Sequence, residues 1–477
     1  MGKHLAVVDI GTTSTRALLY SERGEQLATR QLSNPPEYKG EGRVEKDPTS
    51  WVRVVYDLLR GIAAAAREEA GGSVDALAFT ALRSPVIPVD GQGVALTKAI
   101  MWQDKRTDEI CRRYEHELRA VYERTGIRIT SVFSAPKIRW IKENMPEVAS
   151  RTAKYLGVQD YLLHELTGRF VTDHSFAGRT NLLNLETLDW DPVLLDLFGI
   201  ERAELCDLLP PGSVAGELLP EAAKRAGLTP GIPVITAGGD QQCAALGMGL
   251  FERDRIVTNT GTGSYALGYS ETPRLDPEMG LLSNPAAVAG SFTVEATIPA
   301  SGTIYRWLSR LFYGEEGEDF AQINEEASGS PPGCNGVSLT PHFQGSGSPD
   351  WDPAAQGAFS GLTLATTRGD MARAVLEGIA RELARNLKLI ETQVGSVETV
   401  RTAGGLSNLS LFNQIQADMY RIPVELLEVK ESTALGAWVS AVVGLGWANS
   451  YAEAYEQASP AVAERYEPAP GAYPTGS

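Results

Sequence analysis

Cysteine and histidine are scarce in this 477-residue chain. The four cysteines, Cys111, Cys206, Cys243 and Cys334, lie far apart and form no C-x-x-C pair, so the usual spacings of a disulfide framework or a zinc site are excluded. The five histidines are scattered without H-E-x-x-H spacing and mark no metalloprotease centre. Basic charge is also in deficit: 43 Lys and Arg face 60 Asp and Glu, for a formal net charge of -17. Such a field repels phosphate backbones and anionic lipid, and no nucleic-acid or membrane partner is expected. Long apolar runs are missing as well. The stretch 437–448, AWVSAVVGLGWA, falls short of the ~20 residues that span a bilayer and reads as a buried helix. With no basic and apolar leader ahead of the first strand-like run, the expected location is the cytoplasm. Two nucleotide-binding signatures are absent, the P-loop G-x-x-x-x-G-K-[ST] and a G-x-G-x-x-G after the first strand.

What is present is alternation. Strand-like runs (HLAVVDI, ALLY, VDALAFTAL, PVITAGGD, RIVTNTG, TVRTAGG) are separated by amphipathic stretches such as SWVRVVYDLLRGIAAAAREEA, which predicts an α/β protein. The length calls for at least two large domains. Gly/Pro/Ser-rich segments predict loops between 328 and 353, and EPAPGAYPTGS at the end predicts a frayed tail.

An internal repeat organises the rest. RIVTNTGTGSYALGY (255–269) written beneath AVVDIGTTSTRALLY at an offset of 250 aligns Val7 with Val257, Gly11 with Gly261, Thr12 with Thr262 and Ser14 with Ser264. Unrelated Gly-Thr hairpin turns give similar matches. The second copy, however, begins just past the midpoint, where a duplicated domain would start. The expected division is therefore 1–242, the acceptor side with one phosphate turn, and 243–477, the nucleotide side, with a cleft between them.

Each Gly-Thr turn offers backbone N–H groups and hydroxyls to one point, an anion site that needs little net positive charge. Two such turns could hold the phosphates of one nucleotide, with Arg16 adding charge. Asp9, at the end of the first strand, is then placed to hold Mg²⁺ through water; an Asp there equally serves as a hydrogen-bond acceptor for its own turn. The second copy carries Asn259 instead, so the charge is single. Asp240 in PVITAGGDQQCAALG is either a helix N-cap or a general base, and Gly238 and Gly239 would let a substrate approach the backbone beside it. Gly404 and Gly405 in TVRTAGGLSN suit either a tight strand-to-helix connection or a flat ligand such as adenine.

The ordered set DIGTTSTRA, AIMWQDKRT, SAPKIRWI, GRTNLLNLETLDWD, AGGDQQCAALG, NTGTGSY, the turn at Ala300 to Thr303 and AGGLSN resembles the FGGY carbohydrate kinases from near residue 5 to about residue 445. Within that family, GRVEKDPTSW and TLDWD are most similar to segments of glycerol kinases. The resemblance implies two ribonuclease-H-like domains of the actin-like ATPase fold, with ATP, Mg²⁺ and a small polyol or sugar meeting in the cleft. It implies Asp240 as general base and Asp9 as the Mg²⁺-associated carboxylate. Thr12, Thr13, Ser14, Arg16, Gly261 and Thr262 fall at phosphate-contacting positions, and Gly302, Gly405, Leu406 and Ser410 where the rest of the nucleotide binds. The implied acceptor side comprises Arg83, Ser84, Trp102, Asp104, Val132, Asp240, Gln241 and Tyr265. A homodimer or homotetramer is compatible with it.

The departures carry information. Glycerol kinases have Arg-Glu where this chain has Arg83-Ser84, a tyrosine where it has Val132, and a phenylalanine where it has Tyr265. Removing a carboxylate and a phenol from a pocket built to pair hydroxyls costs orders of magnitude for the original substrate. The expected acceptor is thus a larger polyol, a cyclitol or a ketopentose rather than glycerol. The M-H-G signature of xylulokinases is missing from LRSPVIP. A ketopentose kinase of the xylulokinase or ribulokinase type is the alternative within the family. Outside it, the alternative is a non-kinase, chaperone-like ATPase on the same fold.

Overall fold

The computed structural model describes residues 2–314, 320–428, 431–458 and 460–473. Its first half is built on strands β1 (His4–Ile10), β2 (Ser14–Ser21) and β3 (Gln26–Ser33), helix α1 (Pro48–Glu68), strand β4 (Ala76–Ala81), helix α2 (Ser134–Asn144), strands β5 (Val214–Glu217) and β6 (Pro233–Gly239), and helix α3 (Asp240–Gly247). The sheet runs β5-β6-β4-β1-β2-β3, with β1, β4 and β6 parallel neighbours and β2 antiparallel to β1. Every residue of β1 is buried, as an apolar run covered on both faces should be. Helix α1 starts where Asp47 accepts from the Thr49 amide and Pro48 takes the first turn; its apolar stripe buries Trp51, Val55, Leu59 and Ile62.

The second half repeats that plan with β7 (Arg255–Thr260), β8 (Ser264–Ser270), β9 (Leu282–Pro285), β10 (Phe292–Ile298), α4 (Gly302–Tyr313), α5 (Arg368–Val394), β11 (Thr399–Ala403), α6 (Ser410–Tyr420), β12 (Val424–Leu427), α7 (Ser432–Gly444) and β13 (Val462–Tyr466). Here the order is β9-β10-β8-β7-β11-β12-β13. Strand β7 pairs antiparallel with β8 and parallel with β11, as β1 does with β2 and β4, so the 250-residue offset in the sequence is matched by equivalent topology.

The halves meet through equivalent helices. A Cβ added to Gly436 of α7 would lie 1.8 Å from the Cys243 carbonyl oxygen of α3, and one added to Gly247 would lie 1.9 Å from that of Ser432. Only hydrogen fits at either crossing. Leu435, Trp438, Val439 and Val442 of α7 share an apolar cluster with Leu5, Val7, Ala76 and Ile235 of the first sheet, and the Trp438 indole donates to the Ser21 carbonyl at 3.2 Å. That explains why 437–448 is apolar all round: α7 is enclosed between the halves. Among the described residues no helix is long and apolar enough to cross a membrane. The division expected at residue 242 falls inside α3, which is continuous to Gly247. The expected frayed tail is corrected as far as it is described: Tyr473 is buried, donates to Glu377 at 2.8 Å and accepts from Arg373 at 3.2 Å.

Candidate active site

Three neighbouring parallel strands end at one place. In the ladder Asp9 of β1 stands opposite Thr80 of β4, and Thr80 opposite Gly238 of β6, so Asp9, Arg83 and Asp240 emerge together from the carboxyl edge of the sheet. Arg83 Nε lies 3.2 Å from Asp240 Oδ1, and its Nη1 donates to Gln242 Oε1 at 3.1 Å. The backbone must stay bare for this: a Cβ on Gly239 would meet the Arg83 Cδ at 2.6 Å, and Gly238 adopts φ +122°. The Gln241 amide donates to Asp240 Oδ1 at 2.8 Å. A quarter of the Asp240 side chain reaches the cleft, while Arg83 is almost fully enclosed.

The second half closes this cluster with residues the sequence reading did not single out. Glu295, fully buried on β10, lies 3.7 Å from Arg83 Nη1 and 3.4 Å from Arg179 Nη1. Asn284 of β9 accepts from Arg179 Nη1 at 3.3 Å and donates to Glu295 Oε2 at 3.4 Å. The Arg179 guanidinium stacks over the Phe133 ring at 4.8 Å. Two buried cations thus face two carboxylates, which is how buried charge is tolerated. Burial raises the Asp240 carboxyl above its usual value, with Arg83 opposing the rise. Burial likewise raises Tyr265, whose surroundings are Arg83, Glu295, Asp240 and Arg179. Asp9 is pushed to about 7, first by burial and then by the facing Asp240, with Arg16 pulling the other way.

Beside this cluster stand the turns. In the first, the Gly11 amide donates to the Ser14 carbonyl at 2.9 Å; in the second, the Gly261 amide donates to the Gly263 carbonyl at 2.9 Å. Thr13 and Thr262 are exposed, and Thr12 accepts from the Trp102 indole at 3.2 Å, which joins a residue expected on the acceptor side to one expected to contact phosphate. The start of α4 packs on the second turn: the Gly302 amide donates to the Gly261 carbonyl at 3.0 Å, and a Cβ at Gly302 would sit 2.4 Å from that oxygen. Gly404, at φ +100°, presses against Asn259 and Thr260, whereas a Cβ on Gly405 would meet nothing within 4 Å. Gly405 is exposed, Leu406 buried beneath it, and Ser410 exposed at the first residue of α6. Three glycine turns of the second half therefore converge, leaving an open backbone surface at Gly405.

Some expected residues stand elsewhere or are differently engaged. Asp104 is fully buried and turned to Arg106, which it holds at 2.8 Å through both Nε and Nη2; it also accepts the Val44 amide at 2.6 Å, and its carboxyl is lowered. Its carboxylate is engaged by Arg106 and Val44, and among the described residues no hydrogen bond joins it to the Asp240 cluster. Arg16 pairs with Glu431 of the other half at 2.5 Å rather than pointing free into the cleft. Val132 and Ser84, far apart in sequence, are joined by Lys137, whose ammonium bonds both backbone carbonyls. The signal for Glu295 is a lone charge inside the strand FTVEATI; Arg179 and Lys137 lie within GRTNLLN and SAPKIRWI, where the sequence reading assigns them no role.

The residues fit a nucleotide and a divalent ion. A desolvated Asp9 facing Asp240 is a site where added positive charge is favoured, and its hard oxygen donors suit Mg²⁺. Among the described residues no three His, Cys, Asp or Glu side chains gather to hold a metal by themselves.

Residues 5–247 match the N-terminal domain, and residues 256–445 the C-terminal domain, of the FGGY family of carbohydrate kinases. A glycerol kinase from Alkalilimnicola ehrlichii is 33% identical over 486 residues, covering 97% of this chain and 95% of its own. A gluconokinase from Bacillus subtilis is 28% identical over 462 residues, covering 94% and 89%. The crystal structure of a xylulose kinase from Rhodospirillum rubrum superposes with a TM-score of 0.91 at 26% identity, over 98% of this chain and 95% of that one. The matches run through both halves and the turns between them, and the chain belongs to the FGGY family of carbohydrate kinases.

Proposed function

We propose that the protein transfers the γ-phosphoryl group of ATP to a hydroxyl of a small, uncharged polyol or sugar, releasing ADP and the phosphate ester. Residues 1–242 supply the acceptor side and one phosphate turn, and residues 243–477 the nucleotide side. The observation that carries this reading is the Arg83–Asp240 pair at 3.2 Å, exposed to the cleft on the carboxylate side and facing Asp9. Asp240 accepts the acceptor's hydroxyl proton as the new P–O bond forms, and Arg83 fixes the carboxylate for that transfer. The amides and hydroxyls of the Gly11–Ser14 and Gly261–Gly263 turns hold phosphate oxygens, Gly405 gives the adenine a flat seat on Leu406, and Arg16 adds charge once released from Glu431. Mg²⁺, when bound near Asp9, supplies neutralisation of phosphate charge. Approach of the two halves excludes water and limits hydrolysis. A cytoplasmic setting is part of this proposal.

Gluconate, glycerol and xylulose are the acceptors of the relatives so named, not assignments for this chain. Ser84, Val132 and Tyr265 in place of the glycerol-kinase residues favour an acceptor larger than glycerol, and the two buried arginines of the cluster, Arg83 and Arg179, already face Asp240 and Glu295, which disfavours an acidic sugar at that point. A coupled ADP-release assay over glycerol, erythritol, xylitol, inositol, xylulose, ribulose and gluconate tests this. Turnover with a neutral acceptor larger than glycerol is expected. Turnover confined to gluconate would overturn the acceptor class, and no acceptor-dependent ADP release would overturn the kinase reading.

A further inference from the structure

Lys137 is 0% exposed, near the start of α2, and its ammonium has no carboxylate within ion-pair distance among the described residues. Instead Nζ donates to three backbone carbonyls: Val132 at 2.5 Å, Phe133 at 3.1 Å and Ser84 at 3.2 Å. Asp104, Cys111, Lys105 and Arg106 are its charged or titratable surroundings. A buried ammonium without an ion pair is costly, and a methionine would fill similar space. What methionine cannot do is gather three carbonyls at one point.

Those carbonyls belong to the two arms of the acceptor site. Ser84 follows Arg83, the partner of Asp240, and sits at φ +73°, a left-handed conformation that a serine rarely adopts without local support. Its hydroxyl donates to the Arg179 carbonyl at 3.5 Å. Phe133 lies under the Arg179 guanidinium, which reaches Glu295. One ammonium therefore ties the Arg83 arm to the Phe133–Arg179 arm, and in doing so sets Ser84 and Val132, the two positions where the chain departs from glycerol kinases, relative to each other.

We infer that Lys137 is a positioning residue that fixes the geometry of the acceptor pocket and thereby its choice of acceptor, a role that rests on the kinase reading above. It touches no reacting atom. Its three hydrogen bonds hold the backbone at Ser84 and Val132, and the side chains at those positions take their places from the backbone. An arginine, planar and longer, cannot put three donors on one point and is not an equivalent replacement.

Two variants test it, Lys137→Met and, in case that variant does not fold, Lys137→Arg, which keeps the charge. Hydrogen–deuterium exchange of the full chain without ligands comes first. Amides of 83–86 and of 131–134 are expected to exchange at least tenfold faster together, while the 11–14 turn stays as in the wild type. Steady-state kinetics follow, using whichever of xylitol, xylulose, ribulose and glycerol the wild type phosphorylates fastest. The acceptor KM is expected to rise at least fivefold and the preference among these acceptors to change, with the ATP KM within twofold. A purely structural lysine would lower the active fraction, hence kcat, and leave both KM values and the preference alone; that result overturns the inference, as does loosening of one segment without the other. If the wild type phosphorylates none of the neutral or acidic acceptors, the kinase reading falls and this role with it.

Discussion

Arg83 and Asp240 form an ion pair at 3.2 Å between residues that leave adjacent strands of one sheet, and it is the only cation contact of the Asp240 carboxylate among the described residues. Arg83 is enclosed while Asp240 opens toward the cleft, so the pair has one anchored and one accessible member. Burial raises the Asp240 carboxyl and Arg83 restrains it. Replacing Arg83 by methionine removes that restraint, and Asp240 in its proposed role as base must be ionised to accept a proton. The acid limb of the kcat/KM profile is therefore expected to move to higher pH in Arg83→Met, measured by ADP release between pH 5 and 9; an unmoved limb would separate Asp240 from the proton transfer.

Asp9 gives a stability prediction with a definite sign. Burial, and then the facing Asp240, push its carboxyl up to about 7 in the folded protein from an ordinary value of 3.8. Between those values the folded state holds a proton that the unfolded chain releases, so this contribution to stability is full below about pH 4 and lost as pH rises toward 7. In Asp9→Asn the loss disappears. The variant is expected to be more stable than the wild type at pH 8, on the order of 2 kcal/mol, with the difference closing toward pH 4. Denaturant unfolding at both values checks it.

Arg16 and Glu431 bridge the two halves at 2.5 Å, with about a third of each side chain exposed. A partly exposed pair of this kind contributes about 0–1 kcal/mol. Glu431→Gln frees Arg16 for phosphate, and the ATP KM is expected to fall by a factor of about 2 to 5, the gain shrinking as salt is added. A raised ATP KM would instead make Glu431 part of the nucleotide site.

The α3–α7 crossing has no room for a methyl group. Gly436→Ala brings its Cβ onto the Cys243 carbonyl and forces the helices apart, at a cost of about 1–3 kcal/mol. Thermal unfolding should show a lower midpoint for Gly436→Ala than for Gly91→Ala, where a Cβ meets nothing within 4 Å and the backbone lies outside the left-handed region.

Much of this was legible in the sequence because periodicity and turn chemistry are local. The run HLAVVDI, the Gly-Thr turns and the offset repeat each state their conformation within a few residues, and Asp9, Asp240 and Arg83 fall at strand ends where side chains can converge. What stayed hidden depends on pairing between distant segments. Glu295 acquires its role only because β10 is laid beside β8 and β9, which brings it to Arg179 and Arg83. Asp104, one of several polar residues in a promising motif, is captured by Arg106 two residues on, a choice no spacing reveals. Tyr473 docks through a hydroxyl to Arg373 and Glu377, about a hundred residues away, so a segment that reads as frayed is held at that residue.

The role proposed for Asp240 is to take the acceptor proton during phosphoryl transfer from ATP. It is tested most directly by ³¹P NMR of the reaction with the best acceptor, comparing the wild type with Asp240→Asn at matched folded fraction and matched ATP affinity. A new phosphomonoester resonance growing with ADP is expected in the wild type, and a rate lower by about 10²- to 10⁴-fold in Asp240→Asn. An Asp240→Asn enzyme that forms the ester at the wild-type rate would contradict it.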